Sequence, residues 1–531
     1  MNTDPTKIKA YLIGGGIASL AGAVYLIQDG HIPGENISIF ERSEQTGGSL
    51  DSHNSPEKGY ISRGYRIFEE KVYANSYDLW SRIPSLNDPK ITVKNEIDDF
   101  NRKVKIFARA RLIDRGKKID ADCLGISKMD KINLIKLLIS PESFLATSTI
   151  EDNFSTLFFK TNFWFETCTL FAFQPWHSAV EFKRYLLRSA HNVPFISNMT
   201  SGRSTPYNQY DSIILPIVTW LRKRGVYFEM GSEVIDLVFK TDGAQKTAER
   251  IDYLRNGEKS EVKVHKKDIV FATIGSMTSN SSFGSMTSAP QLNTAKPGAD
   301  WKLWEKIAKN RPEFGKPSVF TSAIDRSKFE SFTITFRDPR FFEMMEKLTG
   351  NKPGTGGGVT FKNSGWLLSI ALPHQPHFIG QPADAYVCWG YGLFPDKEGD
   401  FVKKKMSECS GEEILTELCY QLGFAKELPA IVRSATCIPC MMPYITSQFM
   451  PRSAGDRPAV IPKGSTNFAF IGQYCEIPED IVFTMEYSVH SARIATYSLL
   501  GLDKNIPPIY KGQYDIKVLY DLFKTTLHSK T

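Results

Sequence analysis

Much of what assigns a chain of 531 residues to a functional class is missing from this one. No window holds about 18 uninterrupted apolar residues, so no membrane span is expected. No cleavage pattern follows the apolar run at 11–27, so that run is not read as a secretory signal. HExxH, P-loop and Ser-His-Asp elbow motifs are absent, which leaves hydrolase and phosphotransfer readings without support. Nothing resembles a nucleic-acid motif, and a net charge of +7 suits a mildly basic globular protein. The eight cysteines are scattered without a disulfide framework, as in a reducing compartment. Cys437 and Cys440 form a lone CxxC with no second pair, so no metal site is expected and a redox dithiol is the remaining special reading. The final Ser-Lys-Thr is not the peroxisomal Ser-Lys-Leu. A cytoplasmic protein is expected.

What is present is concentrated near the start. An apolar strand at Tyr11–Ile13 runs into Gly14, Gly15 and Gly16, and a helical pattern follows from Ile17 to about Gln28. A second strand, Ile37–Phe40, ends on Glu41. This is the pattern of a βαβ unit that holds a dinucleotide: Gly14 permits the tight turn, and Gly16 lets backbone approach a pyrophosphate at the positive end of the helix. Ser19 stands at the third glycine position, small enough for close helix–strand packing, and Glu41 is placed to accept hydrogen bonds from an adenosine ribose.

Further along, the glycine-rich segment 42–70 is expected over the cofactor, since loops beyond the carboxyl ends of strands face it. Residues 71–90 read as helical, Lys103–Leu112 as a short strand and Lys128–Leu145 as a helix. The aromatic stretch 154–187 has helical spacing, which predicts a buried helix pair, an apolar wall for a long-chain ligand, or both. Residues 205–225 hold Tyr207 and Tyr210 before an amphipathic helix, and alternating strands then lead to Gly275-Ser276. Residues 275–300 read as a loop; a separate unit with strands near 331–336, 366–372 and 385–389 follows. The chain returns with a strand at Asn467–Ile471 and a helix from about Phe483 to Leu500.

These patterns predict an α/β fold, a two-dinucleotide-binding-fold flavoprotein with a Rossmann-like domain, an inserted α+β substrate domain and a helical C-terminal tail. The expected segments are 7–100, 206–290 and 451–500 for the cofactor domain, 101–205 for a helical, aromatic-rich substrate side, 301–450 for the substrate domain and 501–531 for the tail. The tail is amphipathic and weakly basic at 514–530; docking on the protein and peripheral membrane contact are its two readings. Among polar candidates, His177 beside Trp176 is a base or a structural hydrogen-bonder. Tyr207 and Tyr210 are proton donors or packing groups, and Glu69 and Glu70 are catalytic carboxylates or the first turn of a helix.

Longer motifs carry a resemblance. GGGIASLAGAVYLIQDG (14–30), TGGSLD (46–51), LWSRIPSL (79–86), FAFQPWHSAVEFKRYL (171–186), TPYNQYDSIILP (205–216), FESFTIT (329–335) and QPHF (375–378) are joined by a long stretch at 389–414, MPYITSQFMPR (442–452) and FIGQYCEIPEDIVFTMEYSVHSARIA (470–495). Over nearly its whole length the chain resembles the oleate hydratase family, also called the myosin-cross-reactive antigen family. Its members contain FAD and add water to a cis double bond of long-chain unsaturated fatty acids without net flavin redox change. The resemblance implies FAD contacts at Gly14, Gly15, Gly16, Ile17, Ala18, Ser19 and Glu41, then at Gly48, Ser49, Gly64, Phe68 and Val234. It extends them to Gly275, Ser276, Gly472, Met485 and Ser488. Tyr207 would protonate the alkene, and Gln375, His374, Tyr210 and His177 would face the fatty acid. A homodimer is also implied.

The chain departs from the family where water is activated. The family's Arg-Gly-Gly-Arg-Glu-Met reads Arg63-Gly64-Tyr65-Arg66-Ile67-Phe68, so the glutamate position holds Ile67 and a bare glycine has become Tyr65. Thr-x-Asn-Arg-Gln-Pro reads Ala371-Leu372-Pro373-His374-Gln375-Pro376. Ile67 cannot orient water, and losing a general base costs about 10²–10⁴-fold. Glu69 or Glu70 is a candidate replacement. Beside hydration stand two alternatives: flavin-dependent double-bond isomerisation, which needs no water activation, and a non-catalytic FAD- or lipid-binding protein.

Overall fold

The parallel sheet that positions the glycine turn draws its strands from three distant parts of the chain. The computed structural model describes residues 4–294, 298–518 and 520. Five strands lie in the order Phe468–Ile471, Ile269–Thr273, Ala10–Ile13, Ile37–Phe40 and Tyr227–Glu229, every neighbouring pair parallel. Ala10–Ile13 is wholly buried, as are Ile269–Ala272 and Phe468–Ile471. A parallel strand covered on both faces has no polar alternation, which is why these segments read as short continuous apolar runs. The helices Ile17–Gln28 and Met485–Leu500 pack on each other beside this sheet. An antiparallel sheet of Ser232–Asp242, Gln245–Arg255 and Glu258–Lys263 adjoins it.

A second, eight-stranded sheet holds the inserted unit, in the order Ser282–Phe283, Ala435–Met442, Phe329–Phe336, Tyr386–Gly392, Leu368–Ala371, Gly358–Phe361, Leu112–Asp114 and Lys117–Ile119. Residues 101–205 therefore give strands as well as helices. The strand expected over Lys103–Leu112 is corrected: a helix, Val93–Lys103, ends where it was to begin, and pairing starts only at Leu112. That helix buries only Val93 and Ile97, with Phe100 partly buried on the same narrow stripe; Thr92 and Asn95 start it with a reciprocal capping box. The loop at 275–300 contains the short strand Ser282–Phe283. The amphipathic tail expected at 514–530 falls largely outside the described residues.

The CxxC is settled by the same sheet. Cys437 and Cys440 both lie in the strand Ala435–Met442, three positions apart. Successive side chains on a strand alternate faces, so these two thiols point to opposite sides. Burial raises both thiol pKa values, that of Cys440 to about 12. A redox dithiol is excluded.

Two buried carboxylates make stability depend on pH. Glu166, in the helix Asn162–Phe171, has no hydrogen-bond partner on either oxygen, and burial pushes it up to about 8 against a smaller opposing pull from Arg111. Glu330 is likewise buried and raised. Between the ordinary carboxyl pKa and about 8, the native state keeps the Glu166 proton that the unfolded chain has released. Stability therefore falls as pH rises through that window. Glu166→Gln is expected to raise the melting temperature more at pH 8 than at pH 5.5; equal shifts at both pH values in a calorimeter would contradict this.

Candidate active site

Two cavities and a small chamber adjoin one another. The first is a polar cleft of about 230 Å³ at the carboxyl ends of the parallel strands. Gly14, at φ +89°, makes the turn out of the first strand. Gly16 is the N-cap of the Ile17–Gln28 helix, with extended backbone and no side chain covering the first amides. Those amides are unmet donors at the positive end of the helix, a site for anionic oxygen. A Cβ built on Gly16 would touch nothing within 4 Å, so no protein neighbour demands glycine there. A second glycine loop lies across the first: the Gly47 amide donates to the Gly15 carbonyl at 2.9 Å. At Gly275, by contrast, the protein itself needs the missing side chain, because a Cβ would meet Trp301 at 2.7 Å and Tyr474 at 2.9 Å.

Of the residues expected to hold the cofactor, Gly14, Gly15, Gly16, Ile17, Ala18, Glu41, Gly48, Ser49, Val234, Gly275, Ser276, Gly472 and Ser488 are brought together around this cleft. Ser19 is fully buried and lines no part of it. Gly64 also stands outside, behind the Arg66 guanidinium. Phe68 and Met485 face the neighbouring cavity instead. Glu41 differs in detail from the expectation. Its Oε2 accepts from the Gly15 amide at 2.7 Å, and its Oε1 accepts from the Ser43 amide and hydroxyl at 2.8 and 2.7 Å. Thr273, Gln473 and Asp51 also line the cleft; Asp51 and Gln473 lie inside the long motifs, which assign them no contact.

The second cavity, about 170 Å³, is walled by Phe163, Leu170, Phe171, Leu186, Ile196, Met199, Phe483 and Met485. The aromatic stretch thus supplies both packed helices, Asn162–Phe171 and Ala179–Arg188, and an apolar wall. Arg66 joins this cavity to the cleft: it lines the cavity and donates to the Ser49 carbonyl, at 2.8 Å, on the cleft side. Burial lowers its guanidinium to about 10.

Glu69 enters the same apolar cavity. His191 Nε2 lies 2.5 Å from its Oε2, and the Ser201 hydroxyl donates to its Oε1 at 3.0 Å. A carboxylate held at both oxygens in an apolar wall is oriented and only 16% exposed. Glu70 is 48% exposed, pairs with Arg203 at 3.2 Å and lines no cavity among the described residues.

A chamber of about 60 Å³ shares Ile67, Leu170 and Met199 with the apolar cavity. Tyr65, Ile67 and Ala371, all places where the chain departs from its expected motifs, line it together. The Tyr65 phenol is pushed up to about 12 by burial and bonds to Ser204. Arg111, donating to the Gly358 carbonyl at 2.8 Å, and Trp389, whose indole nitrogen has no partner, complete its polar side.

Other expected substrate residues are placed elsewhere. His177 is fully buried: its Nδ1 accepts from the Gln174 amide at 2.9 Å, and burial lowers it to about 3, so it is a neutral structural hydrogen-bonder. Gln375 spends its amide on both backbone groups of Val387, in the strand Tyr386–Gly392, and on Gln381. His374 packs edge-on to Phe100. Tyr210 lies against Gly47 and opens a π-helical turn, Tyr210–Ile214, a feature often found at functional sites. Tyr207 is partly buried, its amide bonded to Ser212, and lines none of these cavities.

The MCRA family model matches residues 7–497. The chain belongs to the MCRA family. Among relatives of this family member, an oleate hydratase from Streptococcus pyogenes serotype M49 (strain NZ131) is 39% identical over 526 residues, covering 97% of the chain and 89% of that protein. A linoleate hydratase from Lactiplantibacillus plantarum is 33% identical over 539 residues, covering 93% and 94%. Among solved structures, cyclohexylamine oxidase from Brevibacterium oxydans IH-35A has a TM-score of 0.52 at 12% identity, over 93% of the chain and 99% of that structure. The MCRA member thus shares its α/β architecture with that oxidase.

Proposed function

We propose that this MCRA protein is a FAD-binding fatty acid hydratase, adding water to a cis double bond of a long-chain unsaturated fatty acid. The observation that carries the reading is the apolar cavity with one oriented carboxylate, Glu69, joined through Arg66 to a glycine-lined dinucleotide cleft. The hydratase relatives support the substrate class.

The cleft fits FAD. The uncapped helix amides behind Gly16 suit a pyrophosphate, and the open space at Gly16 leaves room for it. Bound there, the flavin shapes the site and undergoes no net redox change. The chain's own groups carry the addition: a proton from Tyr207 goes to one alkene carbon, and water oxygen bonds to the other. Glu69 takes the water's second proton, assisted by the His191 ring at 2.5 Å. Tyr207 lines none of the cavities, so its role rests on the family motif alone, and Glu69 replaces the carboxylate absent at position 67. Family likeness also supports a homodimer.

The test is incubation of the FAD-loaded, reduced protein with oleic and linoleic acids, with products read by mass spectrometry. Products heavier by one water are expected. Positional isomers without mass gain, or bound acid returned unchanged, would overturn the reading. Tyr207→Phe is expected to lower the rate by about 10²–10⁴-fold, as loss of a proton donor does; an unchanged rate would remove Tyr207 from the mechanism.

A further inference from the structure

We propose that Tyr510, on the strap that follows the Met485–Leu500 helix, is a positioning residue for the Glu69 carboxylate, acting through His191. This rests on the reading of Glu69 as the base given above. Glu69 sits in a loop between Phe68 and the helix Ala74–Ser81, and His191 sits on the short helical turn Ala190–Phe195. Neither segment belongs to a sheet ladder or a long helix. Two such segments do not by themselves fix an imidazole 2.5 Å from a carboxylate; a site built on loops needs support from elements packed behind it.

The strap supplies that support. Over residues 502–511 the chain runs without helix or strand, and Pro507-Pro508 restrict its backbone just before Tyr510. The Tyr510 and His191 rings meet in a T-shaped contact, with centroids 4.9 Å apart and planes at 80°. The same phenol ring is faced by Lys71 Nζ, 5.9 Å from its centroid, on the loop that carries Glu69. One aromatic ring thus bears on the histidine and on the carboxylate's own loop.

The backbone repeats the pattern. Arg188, buried at the end of Ala179–Arg188, donates through Nη1 to the Tyr510 carbonyl at 2.9 Å and through Nη2 to the Val72 carbonyl at 3.1 Å. Asp480 stands 3.5 Å from the same Nη2 and compensates the buried charge. A single guanidinium therefore ties the strap to the Glu69 loop. Further out, Lys504 pairs with Asp29 at 2.8 Å and Lys511 with Glu479 at 2.7 Å, so the strap is fastened on both sides of Tyr510. Simple covering of the core predicts something different: any large apolar side chain at 510 would serve, and its loss would be felt in stability alone.

The experiment uses the full-length, FAD-loaded protein carrying isotope-labelled histidine. The proton on His191 Nε2, directed at Glu69, is identified by the loss of its magnetic resonance signal in His191→Gln. Its exchange with solvent is expected to quicken by at least about tenfold in Tyr510→Leu, which keeps apolar bulk and removes the ring, and to stay as it is in Tyr510→Phe. Lys511→Glu, an exposed change that turns the Glu479 pair into a repulsion, is expected to quicken it too, with the melting temperature nearly unchanged. In hydration of oleic acid, Tyr510→Leu is expected to lower kcat by about tenfold with KM within about twofold, because a misplaced base costs rate and not binding. Made on Glu69→Gln, the same change is expected to cost nothing further. The proposal is overturned if exchange is unchanged in Tyr510→Leu, if Tyr510→Phe behaves like Tyr510→Leu, or if Tyr510→Leu costs the same factor with and without Glu69. Should Tyr510→Leu not fold, Lys511→Glu decides in its place. If the wild type turns over no fatty acid, the hydratase reading fails alone, and proton exchange still decides the role of Tyr510.

Discussion

Glu69→Gln is expected to slow hydration by about 10²–10⁴-fold while leaving flavin absorbance and fatty-acid binding in place. The amide keeps the size and hydrogen-bonding reach of the carboxylate but cannot take a proton from water. The site argues for this residue on three grounds. Glu69 faces the apolar cavity, where His191 and Ser201 fix both its oxygens. Ile67, at the position where the family keeps its glutamate, cannot serve. Glu70 is turned away toward Arg203 and solvent, so Glu70→Gln is the internal control, with less than about a twofold effect. His191→Gln should reproduce part of the loss, because it removes one of the two partners that orient the carboxylate. A Glu69→Gln protein of wild-type rate would move the base elsewhere.

Gly16→Leu is expected to abolish flavin loading without unfolding the protein. Its backbone is ordinary extended chain, and a Cβ there meets no protein atom within 4 Å. The space it fills is the cleft against the first amides of the helix, where a pyrophosphate would lie. Affinity for FAD should fall by at least about 100-fold, or ~2.7 kcal/mol, with the melting temperature of the cofactor-free protein nearly unchanged. Gly275→Leu is the contrast. There Trp301 and Tyr474 already stand within 3 Å of the added carbon, so stability falls together with loading. Retained flavin absorbance in Gly16→Leu would show that the pyrophosphate does not lie against Gly16.

The first βαβ unit was legible because its signals are local. Ile17–Gln28 and Ile37–Phe40 occupy the residues that their patterns predict. Elements defined by partners far along the chain were not. Gly358–Phe361 follows a run of glycines, and Pro439 hides the strand Ala435–Met442, although both are interior strands of the eight-stranded sheet. Val93–Lys103 is mostly charged, and its apolar stripe is only three residues, Val93, Ile97 and Phe100. The candidate site divides in the same way. Glycines and acids of the cleft could be named from motifs, whereas His191 and Ser201 are 122 and 132 residues from Glu69 and belong to no pattern with it. Nor could spacing reveal that Tyr65 and Ala371 share one small chamber, since Tyr65 lies in a loop and reaches the strand Leu368–Ala371 only through the tertiary fold.

The hydrogen bonds of Glu41 set the terms on which its cleft takes a ligand. Both carboxylate oxygens are already engaged, one by the Gly15 amide and the other by Ser43. Any hydroxyl that approaches this acid joins or displaces partners in hand, so the net gain in affinity is that of an exchange and not of a new bond. The same contacts hold the glycine turn in shape beforehand, and a loop that is already ordered costs the ligand little entropy to use. At Glu41, binding strength comes mainly from a mould set in advance, and discrimination comes from which hydroxyl can enter the trade.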